Sequence, residues 1–348
     1  MLKLRRGTVV ATDPLEVEVG GERRRAWADA GMVGAVEAGD EVIINTAATD
    51  LGLGSGGFDV VHVNLTRGLA EGETPEGVHV MKLNYSSLQH AVEPIEAPAD
   101  APVRPARPMP VLVIPLHGHL APAAWAVGEG SGAAARVGFV QAGGGALPGS
   151  LSGDVGNLRR RGLLAEHVTV SPSYGGEAEA ISLTGALHAA ATERDWDAAM
   201  VGPGPGILGS ATRYGHGGMA ALDAAHAALA LGLPTIVSAR MSAADPRPRH
   251  LGLSHHTRSV LELLLGGVEV PVPFGLAGMW PEGAGSPGTA IGEAAGGLHR
   301  TSERRVDLRG YATSGLPVRT MGRDLAEDEL FFAAPLAAGA ALAEAIEL

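Results

Sequence analysis

Five short apolar runs recur through the middle of this chain, and each is followed by a segment long enough for a helix. The runs lie at 111–115, 137–141, 168–170, 198–201 and 235–239, and the helix-length segments at 120–135, 148–161, 178–192, 219–231 and 254–265. Short buried strands alternating with helices are typical of a parallel sheet covered on both faces. We therefore predict an α/β fold with a doubly wound parallel sheet, a Rossmann-like arrangement of three layers.

The first 92 residues follow a different pattern, with short β runs separated by turn residues. The runs lie at 8–11, 15–19, 41–44 and 58–65, and the run 15–19 alternates between apolar and acidic residues. Such spacing predicts a separate N-terminal antiparallel β domain, a small barrel or sandwich.

The segment 93–110 carries six prolines and marks the boundary that we predict between the domains. The predicted division is a β-rich domain at 1–92, a Pro-rich linker at 93–110, a doubly wound domain at 111–270 and a final part at 271–348. Within that last part we expect a loop or lid at 271–297 and a helix at 336–347 that packs back on the α/β domain.

Charge and composition narrow the range of partners. The chain has 348 residues, a formal net charge of −12 and no cysteine. An acidic protein is repelled by phosphate backbones, and a chain without cysteine has no disulfides, thiolate ligands or cysteine nucleophiles. We find no run of about 18 apolar residues, the length that a membrane span needs. We therefore expect a cytoplasmic protein whose partners include neither nucleic acid nor a membrane.

Small and polar residues follow every predicted strand of the α/β domain. Parallel strands end at one edge of their sheet, so these residues predict a ligand cleft there. The candidate ligand-binding residues are His117 and His119, Gly143 and Gly144, Ser171 and Ser173, Gly204, Gly206, Gly209, Ser210, Thr212 and Arg213, and Arg240 and Ser242. The alternative is that these residues only form turns and helix caps.

The fourth of these loops is the richest in glycine. Residues 204–209 match G-x-G-x-x-G, the pattern that brings backbone N–H groups close to a dinucleotide pyrophosphate. The match follows the fourth strand, however, and the next strand ends at Arg240 where a dinucleotide site would need an acidic residue. A simpler anion, phosphate or carboxylate, suits Ser210, Thr212 and Arg213 better, and the cofactor stays unknown. The alternative is a structural turn with a solvated Arg213.

Histidines form a second group of candidates. His255 and His256 begin a predicted helix, where imidazole is kept neutral, and they are our candidate catalytic residues together with Asp245. His216 and His226 are expected to be ordinary, partly buried residues on helix faces. His117 and His119 resemble half of a metal site, but no further ligands at a suitable spacing complete it, so no metal is predicted.

Several segments together resemble one uncharacterised bacterial family, catalogued as domain of unknown function 3866. The resemblance depends on segments that span nearly the whole chain. They are Met81-Lys82-Leu83-Asn84-Tyr85, His117-Gly118-His119, Gly202-Pro203-Gly204, Gly209-Ser210-Ala211-Thr212-Arg213, Asp245-Pro246-Arg247-Pro248-Arg249-His250, Ser254-His255-His256-Thr257, Met321-Gly322-Arg323 and Phe331-Phe332. The resemblance implies a shared fold and a shared cleft, and it assigns no activity.

The residues favour an enzyme that acts on a small anionic metabolite. In this hypothesis the loop at 202–213 and Arg240 hold the anion, while His255 or His256, oriented by Asp245, moves a proton. The alternative is a non-catalytic ligand-binding or regulatory protein whose β-rich domain docks a partner. Alanine-rich helices with flat apolar faces are also compatible with a homodimer.

Overall fold

The computed structural model describes residues 2–53, 56–69, 78–131 and 135–347. The chain divides into two compact units, Met1–Val92 and Glu93–Leu348.

The first unit is a closed five-stranded barrel. Its strands run in the order β1-β2-β3-β5-β4, and β4 pairs with β1 to close the barrel. They are β1 (Leu4–Thr12), β2 (Leu15–Val19), β3 (Glu22–Trp27), β4 (Glu41–Asn45) and β5 (Asp59–Asn64). The short helices α1 (Ala30–Val33) and α2 (Ala47–Asp50) and the hairpin of β6 (Val80–Lys82) and β7 (His90–Val92) complete the unit.

The barrel confirms the small β-rich domain that the sequence predicts, with one difference in strand direction. Neighbouring strands are antiparallel except β3 and β5, which pair in parallel because β4 and two helices intervene along the chain. This is the Greek-key arrangement of five-stranded barrels of the OB type. Its interior is filled by alternate residues of the strands, including Val17 on β2 and Val42 and Ile44 on β4.

The second unit contains an eight-stranded parallel sheet, which confirms the predicted doubly wound fold. The strand order is β11-β10-β9-β12-β8-β13-β16-β17, and every neighbouring pair is parallel. The strands are β8 (Val111–Val113), β9 (Val137–Ala142), β10 (Glu166–Val170), β11 (Ala178–Ala180), β12 (Ala198–Pro203), β13 (Thr235–Val237), β16 (Glu269–Pro273) and β17 (Arg300–Arg304).

Alternation along the central strands fills a hydrophobic core on each face of the sheet. On β8, Val111 and Val113 face one core while Leu112 faces the other. Strands apolar on both faces are buried on both faces, which is why their sequences read as continuous apolar runs. Helices therefore cover the sheet on its two sides, as a three-layer fold requires.

The helices of this unit differ from the predicted segments mainly at their ends. They are α3 (Leu120–Ser131), α4 (Gly153–Arg160), α5 (Leu183–Thr192), α6 (Ala220–Ala230), α7 (His255–Leu263), α8 (Leu276–Met279), α9 (Pro287–Ala295), α10 (Leu308–Thr313) and α11 (Glu329–Ile346). Short 3₁₀ turns stand at His117–His119, Gly149–Leu151, Gly217–Met219 and Pro248–His250.

Two predictions about local structure are wrong. The segment 178–192 begins as the edge strand β11 rather than as a helix, because Ala178–Ala180 pairs with β10. The segment 271–297 is not a loop or lid: it contains the end of β16 and helices α8 and α9, and Ile291 and Ala294 of α9 are buried in the core. Pro287 is the first residue of α9 and Gly296 follows its last, positions that proline and glycine commonly take at helix ends.

The proline-rich segment 93–110 belongs to the second unit by its contacts. The Glu96 carboxylate accepts hydrogen bonds from the backbone N–H groups of Ile181 and Ser182, at 2.6 and 3.0 Å, and Met109 is fully buried. At the other end of the unit, helix α11 packs along α3. By length and composition α11 could cross a membrane, and 72% of that stretch is buried inside the protein.

Two small hairpins lie next to the sheet. They are formed by β14 (Met241–Ser242) with β15 (Gly252–Leu253), and by β18 (Arg319–Thr320) with β19 (Arg323–Asp324).

Candidate functional site

A cavity of about 380 Å³ lies at the carboxyl ends of the central strands. The chain leaves β8 towards β9 and leaves β13 in the opposite direction, towards β16, so the two loops diverge between neighbouring strands. Such a switch point is where open α/β sheets bind ligands. The lining residues are Leu116, His117, Gly118, Gly206, Ile207, Leu208, Gly209, Ser210, Arg240, Arg247, Arg249, His250, His256, Thr320 and Met321.

The cavity brings together residues from three of the five predicted strand ends. His117 follows β8, the glycine loop with Ser210 follows β12, and Arg240 and His256 follow β13. Arg247, Arg249 and His250 also reach the wall, from the segment between Asp245 and α7. These three residues belong to the segment 245–250 that carries the family resemblance, but they are not among the predicted ligand-binding residues.

Other predicted ligand-binding residues make contacts away from the cavity lining. Arg213 pairs with Glu262 of α7, and Thr212 bonds Ser210 within its loop. Ser242 donates a 2.5 Å hydrogen bond to the buried Asp328, and Ser173 bonds the carbonyl of Ala142. Ser171, Gly143 and Gly204 are likewise not among the lining residues.

Two glycines hold the loops after β9 and β12 against each other. A Cβ on Gly144 would lie 2.5 Å from the carbonyl oxygen of Gly217, and a Cβ on Gly217 would collide with that of Gly144. Gly144 also has a φ of +102°, which favours glycine. Gly144 therefore serves backbone packing that fixes the glycine loop.

A buried carboxylate organises the arginines of the cavity. Asp245 accepts two hydrogen bonds from the Arg247 guanidinium, at 2.8 and 2.9 Å, and pairs with Arg240 at 3.4 Å and with Arg323 at 3.5 Å. Burial by itself raises the pKa of Asp245, but the bonds from Arg247 outweigh it and hold that pKa well below its usual value. Asp245 thus orients arginines; the predicted orientation of His255 or His256 by Asp245 would act only through Arg240.

Arg240 is the most buried of the cavity arginines, with 3% of its side chain exposed. Its Nη1 lies 3.2 Å from His256 Nδ1, and its Nε is buried without a hydrogen-bond partner. Burial lowers the pKa of Arg240 to about 10, so the guanidinium stays charged at neutral pH. A buried N–H without an acceptor is costly, and Arg240 is one of the residues that line the cavity.

His250 and His256, two of the three histidines that line the cavity, are neutral. Burial lowers the pKa of His256 to about 2, helped by His216 and Arg240, and burial lowers that of His250 to about 3, helped by Arg240 and Arg247. His250 Nδ1 lies 2.7 Å from the hydroxyl of Ser254, which caps α7.

His117 and His119 do not share one face, because they lie on a 3₁₀ turn rather than on a strand. His117 Nε2 lies 2.7 Å from the Ser152 hydroxyl and its Nδ1 faces the carbonyl of Pro203. His119 Nδ1 lies 2.8 Å from the Ser238 hydroxyl. Each ring bonds a different serine, so the predicted half-site for a metal is not formed by this pair.

Sequence reasoning missed a cluster of His216, His255 and His256. One ring nitrogen from each lies within 4.8 Å of the others. His216 was expected on a helix face, but it precedes the turn Gly217–Met219 and stacks on His256 with ring centroids 3.6 Å apart. No linear spacing signals this cluster, because 38 residues separate His216 from His255 and only the fold brings α7 against that turn.

Comparison with protein families finds one match. A family described as "Protein of unknown function (DUF3866)" matches residues 25–339, which confirms the resemblance expected from the sequence. Comparison with curated proteins and with solved structures finds no match.

Proposed function

The chain belongs to the DUF3866 family of unknown function, so its activity must be argued from its own site, and we propose that it is an enzyme acting on a small anionic metabolite. The cavity binds the phosphate or carboxylate group of that metabolite. The observation that carries the proposal is that Arg240, a buried arginine whose Nε–H has no hydrogen-bond partner, lines the cavity together with Arg247 and Arg249.

The charge balance around the cavity supports an anion. Asp245 offsets the charge of one of the three cations that contact it, Arg240, Arg247 and Arg323, and Asp328 pairs with Arg323. Arg249 adds a further positive charge to the lining. A phosphate or carboxylate would complete this balance and accept from guanidinium donors, which hydrogen-bond such groups strongly.

Proton transfer is the chemistry that the wall offers beside the anion. Three imidazoles, His117, His250 and His256, line the wall and have a lowered pKa, so each is a neutral base at pH 7. A proton taken from the bound metabolite would convert an imidazole into a cation that the anionic ligand stabilises. His255 and Asp245, which were also predicted to be catalytic, lie outside the lining.

The anion is tested by thermal unfolding in the presence of inorganic phosphate and of a panel of small phosphorylated and carboxylic metabolites. A ligand present at 100 times its Kd stabilises the folded state by about 2.7 kcal/mol. We expect stabilisation of the natural chain and of Arg213→Met, and its loss in Arg240→Met. The Arg213 variant is a matched control because Arg213 pairs with Glu262 outside the cavity. Equal stabilisation of both variants would contradict the proposal.

The same panel separates an enzyme from a binding protein. We expect His250→Ala or His256→Ala to abolish turnover of the stabilising metabolite while changing its affinity only a few-fold. A ligand that binds tightly and returns unchanged from long incubation would favour the alternative, a regulatory protein that senses the anion.

A further inference from the structure

We propose that His216, His255 and His256 bind one divalent transition-metal ion, of the kind that prefers imidazole ligands, beside the anion cavity. Zn²⁺, Co²⁺ and Ni²⁺ belong to this class.

Hydrogen bonds to backbone carbonyls fix the tautomers of two of the rings, His216 and His255. His216 Nε2 lies 3.0 Å from the carbonyl oxygen of Arg213, and His255 Nδ1 lies 3.3 Å from that of Arg249. A carbonyl oxygen only accepts, so each of these nitrogens carries the hydrogen. The opposite nitrogens, Nδ1 of His216 and Nε2 of His255, therefore present lone pairs. A carbonyl that fixes the tautomer in this way is typical of metal-binding histidines.

The lone pairs on His216 Nδ1 and His255 Nε2 are both buried and have no hydrogen-bond partner. Leaving a buried acceptor without a partner destabilises a fold by about 1 to 3 kcal/mol, and here two such acceptors lie in one cluster. A cation that accepts both lone pairs removes the penalty.

His256 completes the set. A Cβ placed on Gly218 would lie 3.1 Å from His216 Nδ1 and 3.2 Å from His256 Nδ1, so both nitrogens face the same small space beside a glycine. Two nitrogens that bind one tetrahedral Zn²⁺ at its usual bond length lie about 3.4 Å apart. Because the three nitrogens lie within 4.8 Å of one another, each pair must approach by at most about 1.5 Å to close around an ion.

The ion would change the chemistry of the neighbouring cavity, and this part of the inference rests on the proposed function. Arg240 Nη1 lies 3.2 Å from His256 Nδ1 and competes with the ion for that lone pair. Two neighbouring cations repel each other, so an ion and Arg240 are best accommodated together when an anion is bound. With His256 as a ligand, His117 and His250 remain as the other imidazoles on the wall.

The test uses Co²⁺, whose visible spectrum reports nitrogen coordination, on the full chain prepared without a polyhistidine tag and stripped with a chelator. We expect one Co²⁺ per chain by spectroscopic titration and by metal analysis after dialysis. His216→Gln and His255→Gln should each weaken binding at least tenfold. His226→Gln is the control, since His226 accepts a bond from the Leu265 N–H outside the cluster and should bind as the natural chain does.

Two further variants make the result decisive. Gly218→Ala keeps all three ligands and places a methyl group in the space between them, so it should also abolish binding. Arg240→Met should lose phosphate binding yet bind Co²⁺ at least as tightly, because a neighbouring positive charge is removed. Chemical denaturation of each variant shows that it is folded, and His255→Gln, altered at a partly exposed side chain, carries the test if His216→Gln does not fold.

Absence of Co²⁺ binding by the natural chain, or equal loss in His226→Gln, would overturn the metal site. Phosphate stabilisation that persists in that case would leave the proposed anion cavity intact, so the two proposals fail separately.

Discussion

At the scale of single residues, the site is built from polar groups that the interior keeps in one protonation state. Arg240 is charged although it is buried, and His119, His250 and His256 are neutral because they are buried. Burial disfavours the charged form of every one of these groups, and only Arg240 resists it, since its pKa starts far above neutral and Asp245 lies beside it. The wall therefore combines fixed cations with neutral bases at pH 7.

The neutral histidines predict how stability depends on pH. Burial and Arg240 lower the pKa of His119 to about 3, so between about pH 6.5 and that value the unfolded chain binds a proton that the folded chain does not. The stabilisation is complete above about pH 6.5 and is lost as the pH falls. His119→Asn, which does not titrate, should reduce the slope of unfolding free energy between pH 6.5 and 4 by roughly 1 kcal/mol per pH unit. Denaturant unfolding at several pH values measures it, and an unchanged slope would contradict the assignment.

A buried carboxylate behind the site gives a second prediction at this scale. Asp328 is fully buried and accepts from the Ser242 hydroxyl, the Ala243 N–H and Arg323 Nε. Asp328→Asn removes the closer of the two carboxylates that pair with Arg323 and leaves the 3.5 Å contact with Asp245, and breaking a buried pair costs about 3 kcal/mol. Urea unfolding should show this loss, while Glu327→Gln, at the exposed neighbouring position, should change stability by less than about 0.5 kcal/mol. Similar effects of the two substitutions would show that the Asp328 network contributes little.

At the scale of helices and strands, close packing depends on small residues at particular positions. On α11 a Cβ at Gly339 would lie 2.9 Å from Ala126 Cβ and closer still to the carbonyl oxygen of Ala123, both on α3. On α9 a Cβ at Gly292 would meet nothing within 4 Å. One helical glycine is therefore required by a neighbour and the other is not.

These two glycines predict opposite effects of the same substitution. Gly339→Ala should force α11 away from α3 and lower the unfolding free energy by about 1 to 3 kcal/mol, as overpacked cores do. Gly292→Ala should raise it by about 0.5 to 1 kcal/mol, because alanine favours helix. Thermal and urea unfolding of the two variants test this prediction. An increase in the unfolding free energy of both variants would show that helix propensity alone governs these positions.

The individual strands and helices also show which parts of the fold and of the candidate site can be predicted from the sequence. The strand β8 was predicted because Val111, Leu112 and Val113 are buried on both faces. The edge strand β17, with the sequence RTSER, has no apolar residue, since backbone pairing with β16 is enough to place it. Arg240 was predicted to be a ligand-binding residue because it follows a central strand. His216 was not, because its partners His255 and His256 lie far along the chain and only tertiary packing joins them.

At the scale of the whole molecule, the chain has separate hydrophobic interiors. The barrel core contains residues of Met1–Val92 only, and the two cores on either side of the large sheet contain residues of Glu93–Leu348 only. The OB-type barrel by itself implies no particular ligand, since one fold serves many functions. The candidate site is formed entirely by the second unit.

Separate cores predict separable unfolding. Val17→Ala should remove about 2 kcal/mol from the barrel, and Leu112→Ala about 3 kcal/mol from the large unit. In differential scanning calorimetry we expect two transitions, each moved by the substitution in its own unit. Any stabilising metabolite should raise only the transition that Leu112→Ala lowers. A single transition that both substitutions shift would mean that the units unfold as one.

The close contact of Gly144 with Gly217 also limits which sequence changes these two loops can accept during evolution. Loops at the rim of a doubly wound sheet usually acquire new specificities by growing, shrinking and exchanging side chains. Here the backbones of two neighbouring loops are in close contact at Gly144 and Gly217. Neither loop therefore tolerates a bulkier residue or a different length at that point unless the other loop moves as well. If the cavity binds an anion as we propose, relatives with a different ligand should differ in the arginine-containing segment between Asp245 and α7 and should keep Gly144 and Gly217.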